Sequence, residues 1–163
     1  YSRYELAAAL VQKRHELEKN MLRTSLKGGV TAFYDGLIFL SMAHNSSEFE
    51  WSSKVSNVLS NVKKFEQIGK SNNEHKLLLL EAEINSRIGE KYNALKKYQL
   101  AIVAAEKNGF THEQAIANER AADFLLRNND KDKAAQYYGE ANSLYLKWGA
   151  QGKADDLCKN IPF

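Results

Sequence analysis

The sequence predicts an all-α protein, a superhelix of antiparallel helical hairpins with about seven long helices and a short C-terminal capping helix. A repeat is the first reason. Ala94, Tyr98, Ala101 and Gly109 recur 40 positions later as Ala134, Tyr138, Ala141 and Gly149. At the same offset of 40, Ala82, Glu83, Ile84 and Arg87 recur as Ala122, Asp123, Phe124 and Arg127. Proline is the second reason. Only one occurs, Pro162, so nothing upstream of it breaks a helix in this way. The third is apolar spacing at three and four residues, the period of a helix with one buried face.

Arg3 to about Arg23 reads as a helix, with Tyr4, Ala7, Ala8, Val11 and Leu22 on one stripe. Lys27-Gly28-Gly29 reads as a turn. Val30 to Ala43 is strongly apolar through Phe33, Leu37, Ile38, Leu40 and Met42, as expected of a helix buried on most sides. His44 to Ser47 is expected to be a loop, and Glu48 to Ile68 a third helix carrying Trp51, Val55, Val58, Leu59, Val62 and Phe65. Gly69 to Asn73 is expected to end it.

The clear repeats follow. Glu74 to Ile88 and Lys91 to Asn108 form the first hairpin, joined at Gly89-Glu90 and stopped by Gly109. Thr111, with Gln114 three residues on, suggests a capping box opening the next helix, which runs to Arg127. Asn128-Asn129-Asp130 makes the turn into Lys131 to Trp148. Gly149 and Gly152 bracket a stop before a short capping helix, Lys153 to about Lys159. Small residues have a mechanical role here, because antiparallel helices approach closely only where side chains are small. Ala82 with Ala94, and Ala122 with Ala134, are expected to meet within hairpins. Tyr98 and Tyr138 are expected to fill the space towards the neighbouring hairpin, with Ala101 and Ala141 repeating on the same helices.

Composition narrows the function. The chain has 163 residues, 44% hydrophobic and 26% charged, ordinary for one globular domain. A net charge of +3, with basic runs no longer than Lys63-Lys64 and Lys96-Lys97, gives no case for nucleic acid. No stretch approaches the ~18 apolar residues of a membrane span. One cysteine, Cys158, excludes an internal disulfide and suits a reducing, cytoplasmic setting. Tyr1-Ser2-Arg3-Tyr4 does not resemble a signal peptide, and without an initiator methionine the chain reads as a piece of a longer one.

The Ala…Tyr…Ala spacing resembles the tetratricopeptide (TPR) pattern, although the period of 40 is longer than that family's 34. The runs Asn108 to Glu119 and Tyr145 to Ala154 resemble the TPR-like segment of large multidomain sensor proteins of fungi and bacteria. Glu50-Trp51 and Glu74 to Glu83 fit the same pattern, so the resemblance spans roughly Glu48 to Pro162. In those proteins a protein-kinase-like domain and an AAA-type ATPase precede the repeats. A GAF domain, a histidine kinase and often a receiver domain follow. The resemblance implies a place in two-component signalling. The matching segment carries no catalytic residue of its own, so the parent's phosphotransfer does not pass to this piece.

It also implies that the first helix of each hairpin lines a concave face. Glu83 and Arg87, and their equivalents Asp123 and Arg127, would then point into a groove, with Lys76 and Glu119 nearby. These six are the candidate binding residues. The bland alternative is surface ion pairs at i,i+4, each contributing about 0.3–0.5 kcal/mol. Ile116 and Leu126 would give the groove some apolar surface.

Candidate chemistry is sparse. His15-Glu16-Leu17 resembles the start of a histidine-kinase phospho-acceptor box, but Glu18-Lys19-Asn20-Met21 lacks its arginine and proline. His112-Glu113 could begin a zinc-protease HExxH, but the closing position is Ile116. His44 and His75 stand alone, Gly28-Gly29 lacks the Gly-Lys-Ser/Thr of a phosphate loop, and no metal or cofactor is expected. Asn45-Ser46-Ser47 fits a glycosylation acceptor, a pattern common by chance. The leading expectation is a non-catalytic module that binds a protein or peptide, or couples neighbouring domains of the same chain, with a homodimer as a further option. The alternatives are a ligand- or peptide-sensing helical domain and an autonomous enzyme.

Overall fold

Helices account for nearly all of the residues that the computed structural model describes, namely 3–18, 25–45, 56, 60 and 70–161. In chain order they are α1 (Arg3–Glu18), α2 (Ser25–Asn45), α3 (Lys70–Arg87), α4 (Lys91–Lys107), α5 (Thr111–Arg127), α6 (Lys131–Trp148) and α7 (Gln151–Asn160). No strand occurs among the described residues, and the all-α expectation is met. From α3 to α7 each helix packs on the next; α1 packs on α2, and α2 on α3. Apart from residues 56 and 60, which are helical, the helix expected over Glu48 to Ile68 lies outside the described residues, as do the Lys19 to Arg23 end of the first helix and Ser46-Ser47.

One turn is used four times. Gly89, Gly109, Asn129 and Gly149, spaced 20 residues apart, have positive φ of 84°, 74°, 63° and 89°. The amide that follows each bonds a carbonyl five residues back: Glu90 to Asn85 (2.9 Å), Phe110 to Ala105 (2.9 Å), Asp130 to Leu125 (3.0 Å), Ala150 to Tyr145 (2.8 Å). That is the 6→1 bond of a Schellman motif, which satisfies carbonyls orphaned at the helix end. The carbonyls of Glu90, Phe110, Asp130 and Ala150 then accept from Ala94, Gln114, Ala134 and Ala154, opening the next helix. One helix is closed and the next begun within three residues, so neighbours must run antiparallel.

This turn corrects the expected capping box. Phe110 holds the N-cap position with no side-chain cap bond, and Thr111 is already helical. The left-handed residue and the one after it use all the chain available between helices, so the cap falls one residue early. Among α4 to α7, a side chain caps the helix only at α6, where Asp130 accepts from the Lys133 amide at 3.3 Å.

Other boundaries differ from expectation as well. Lys27-Gly28-Gly29 is helical, inside α2, as are His44 and Asn45 at its end. A helix interior tolerates glycine at about 1 kcal/mol each, and the apolar run from Val30 onward propagates the helix past that cost. Lys70 to Asn73 form the first turn of α3, where poor helix formers do least harm. Gly152 lies within α7 rather than bracketing a stop, because the turn is complete at Ala150.

The core is one cluster. Phe33 and Leu40 of α2 join Leu79, Leu80 and Ala82 of α3, and alanines line the later helices. Ala82, Ala94, Ala101, Ala122, Ala134 and Ala141 are all fully buried, as the close approach of paired helices requires.

Candidate functional site

The repeat carries a polar pair as well as small residues. The Tyr98 hydroxyl, on α4, donates to Glu83 Oε1 on α3 at 2.8 Å. The Tyr138 hydroxyl, on α6, donates to Asp123 Oδ1 on α5 at 2.5 Å. Both bonds span 15 residues, both tyrosines are buried, and each bond ties one hairpin together.

What surrounds the two carboxylates differs. Glu83 is fully buried and meets Arg120 of the next hairpin, with Nε at 2.7 Å from Oε1 and Nη2 at 2.8 Å from Oε2. A planar guanidinium bonding both oxygens is the geometry that makes a buried ion pair tolerable. Burial, then the charge of Glu83, raises the Tyr98 phenol well above its ordinary value and keeps it a donor. Asp123 receives only the far side of Arg120, Nη1 at 3.8 Å. Burial lifts its carboxyl above the ordinary value; Arg120 and the Tyr138 hydroxyl pull it back, and Glu119 pushes it up.

Asp123 opens into a cleft of about 340 Å³ between α5 and α7, which Ala7 of α1 and Ile38 of α2 also line. Asp123, Glu119, Asp156 and Lys153 line it beside Tyr138, Leu157, Asn160 and Ile161. The backbones of α3 and α5 approach within 8 Å of each other; those of α5 and α7 do not. A second cleft of about 330 Å³ lies alongside, lined by His112, Ile116, Arg120, Tyr145 and Trp148. Glu119 and Lys153 border both clefts. Lys153 Nζ donates to Glu119 Oε1 at 2.7 Å, and the Tyr145 hydroxyl to Oε2 at 2.6 Å. That pair forms the wall between the clefts.

A third polar group lies where α3 meets the α4–α5 turn. His75 is buried and stacks on Phe110 at 4.5 Å. Lys76 Nζ lies 3.2 Å from His75 Nε2 and donates to the Asn72 carbonyl at 2.9 Å; Glu113 is 3.8 Å away. Burial first, then the charge of Lys76, pushes the His75 imidazole down to about 3. Its Nδ1 has no hydrogen-bond partner. Burial also lowers Lys76, against the pull of Glu113. Nearby, His112 stacks on Trp148 at 4.0 Å and meets the Tyr34 hydroxyl at 3.2 Å through Nδ1. Burial, then Glu113, raises that phenol to about 12. This contact seats α2 against α5.

The six candidate residues therefore divide. Glu119 and Asp123 line a cleft. Glu83 and Lys76 are buried and line neither cleft. Arg87 is half-buried and Arg127 exposed, in the last turns of α3 and α5, where a cation suits the helix dipole. The ion pair at Glu83 runs across hairpins to Arg120 rather than resting on a surface. Part of the face made by α3, α5 and α7 is covered by α1 and α2, which the repeat alone does not reveal. Arg120, Lys153, Tyr145, Asn160 and Tyr34 were not foreseen as site residues. Arg120 and Asn160 share one register 40 residues apart, and that offset was the available signal.

Of the decoys, His15 Nε2 is 2.9 Å from Asp35 Oδ2, and Arg14 also bonds that carboxylate. The histidine is thus held in a helix-to-helix polar contact. No group of His, Cys, Asp or Glu among the described residues is arranged to hold a metal ion. No helix among them is long and apolar enough to cross a membrane. No family model, no curated protein and no solved structure matches this chain.

Proposed function

We propose that this chain is a non-catalytic interaction and coupling module that binds a protein or peptide, or a neighbouring domain of its own chain. The observation that carries the reading is the cleft beside Asp123, where a tyrosine–carboxylate pair used for packing in one hairpin meets open volume in the next. A stack of like hairpins supports it physically, because such stacks present side chains from successive helices on one surface. The resemblance of Asn108 to Glu119 and Tyr145 to Ala154 to sensor-protein repeats supports a setting in cytoplasmic two-component signalling, attached to a histidine kinase. Excision of residues 74–159 from a signalling protein that carries them tests this. Loss of the regulated phosphotransfer response is expected. Unchanged signalling, together with no partner bound to the isolated chain, overturns it.

A second reading is a sensing domain whose cleft closes on a small ligand and shifts an attached kinase. The mixed lining of the cleft, apolar at Ile38 and Leu157 and charged at Glu119 and Asp156, favours it. Such a shift requires unequal affinity for two states. A metabolite screen in which none raises the melting temperature counts against it.

A further inference from the structure

Successive helices α3, α5 and α7 are in register at an offset of 40, their first repeated turns opening at Phe110 and Ala150. Arg120 on α5 therefore corresponds to Asn160 on α7. In the upper hairpin Tyr98 and Glu83 are completed by the Arg120 guanidinium, bound through two oxygens. In the lower hairpin Tyr138 and Asp123 are in place, but the residue in the register of Arg120 is an asparagine. Its amide turns back to the Asp156 carbonyl at 2.7 Å and to Asp156 Oδ1 at 3.2 Å.

The space left over is the 340 Å³ cleft, which Asp123 and Asn160 both line. Its charge is also unbalanced. Glu119, Asp123 and Asp156 line it with one ammonium, Lys153, which is already held by Glu119 at 2.7 Å, while Arg120, engaged at Glu83, reaches Asp123 only through Nη1 at 3.8 Å. Apolar surface from Ile38, Leu157 and Ile161 flanks the carboxylates.

We infer that this cleft takes the arginine side chain of a peptide segment with apolar neighbours, its guanidinium standing at Asp123 as Arg120 stands at Glu83. Two features favour arginine over lysine. A planar fork can bond one carboxylate through two N–H groups while its edge reaches a second, and it loses less hydration on entering a half-closed site. The methylene stem would lie along Ile38 and Leu157, as long cationic side chains do on apolar walls. This inference rests on the interaction reading above, and it names the chemistry of the partner.

The test is calorimetric titration of the chain with an acetylated, amidated hexapeptide holding one arginine among leucines and alanines. Matched peptides carry lysine or the neutral isostere citrulline. The arginine peptide is expected to bind about tenfold or more tightly than either. Asp123→Asn, which keeps an acceptor for Tyr138, is expected to remove that preference. Asn160→Arg is expected to restore the internal pair, raise the melting temperature by a few degrees and abolish peptide binding. Equal affinity for all three peptides, binding of none, or arginine binding undiminished in Asn160→Arg overturns the inference. Such a result would leave the coupling reading standing if excision of residues 74–159 still silences the response, so the two fail separately.

Discussion

Tyr98 and Tyr138, 40 residues apart, each give a hydroxyl hydrogen to a carboxylate 15 residues upstream, on the preceding helix. The bond recurs while its acceptor changes from a fully buried glutamate to an aspartate with an open side. Tyr98→Phe removes one donor from the fully buried Glu83 carboxylate, an expected loss of about 1–3 kcal/mol. Tyr138→Phe exposes Asp123 to the cleft instead, and the expected loss is about 1 kcal/mol. Urea denaturation of the two variants checks the order.

The Glu83–Arg120 pair joins two hairpins through a buried contact. Arg120→Met strands a buried carboxylate, with an expected destabilisation of about 3–5 kcal/mol. Glu83→Gln/Arg120→Met together are expected to recover much of that, because no buried charge remains. A double-mutant cycle that finds the two effects additive would show that the pair does not act as a unit.

Ala94 and Ala134 stand at the start of α4 and α6 with no exposed surface. Either alanine changed to leucine is expected to overpack the hairpin at a cost of about 1–3 kcal/mol. Because the two sites are equivalent, their losses should be similar in chemical denaturation. A neutral Ala94→Leu would mean that the hairpin has room to spare.

His75 should make the fold acid-sensitive. Its folded-state value of about 3 lies below the ordinary 6.5, so the unfolded chain binds the extra proton first. Stability from this group is complete above pH ~6.5 and falls as pH drops towards ~3, by about 2 kcal/mol at pH 5. His75→Phe keeps the stack on Phe110 and removes the titration. Melting curves from pH 7 to 4 should fall less steeply for that variant; parallel curves would refute the assignment.

Residues in the left-handed turn give a backbone test. Gly149→Ala is expected to cost about 1–2 kcal/mol, because a side chain at φ 89° is strained even where space is open. Asn129→Gly, at φ 63°, is expected to stabilise by a few tenths of a kcal/mol. Thermal unfolding measures both, and the signs should be opposite.

Much of the architecture was legible because alanine, tyrosine and glycine recur where geometry forces them. Ala94 and Ala134 mark close helix approach, and Gly109 and Gly149 mark turns. The polar site was less legible because its key position does not repeat. Leu80, Arg120 and Asn160 occupy one register with three different chemistries, so no pattern search on side-chain type aligns them. Glu83 looked like a surface acid from its i,i+4 arginine. Its burial follows from Tyr98 and Arg120, which reach it from other helices. Thr111 and Gln114 had the residue types of a cap, but the backbone of Phe110 was already placed there by Gly109. The cover supplied by α1 and α2 involves contacts distant in sequence, such as Tyr34 with His112, 78 residues apart, beyond any local reading.

The like junctions at 89, 109, 129 and 149 make this architecture extensible by copying. A tandem duplication of residues 91–130 would begin and end at matching joints, so the inserted unit would dock on its own template without a new linker. A duplication of only half that length would place a helix of the α4, α6 series where one of the α3, α5, α7 series belongs. Growth in whole pairs is therefore the natural increment for lengthening this protein, and each added pair would bring its own tyrosine–carboxylate clasp.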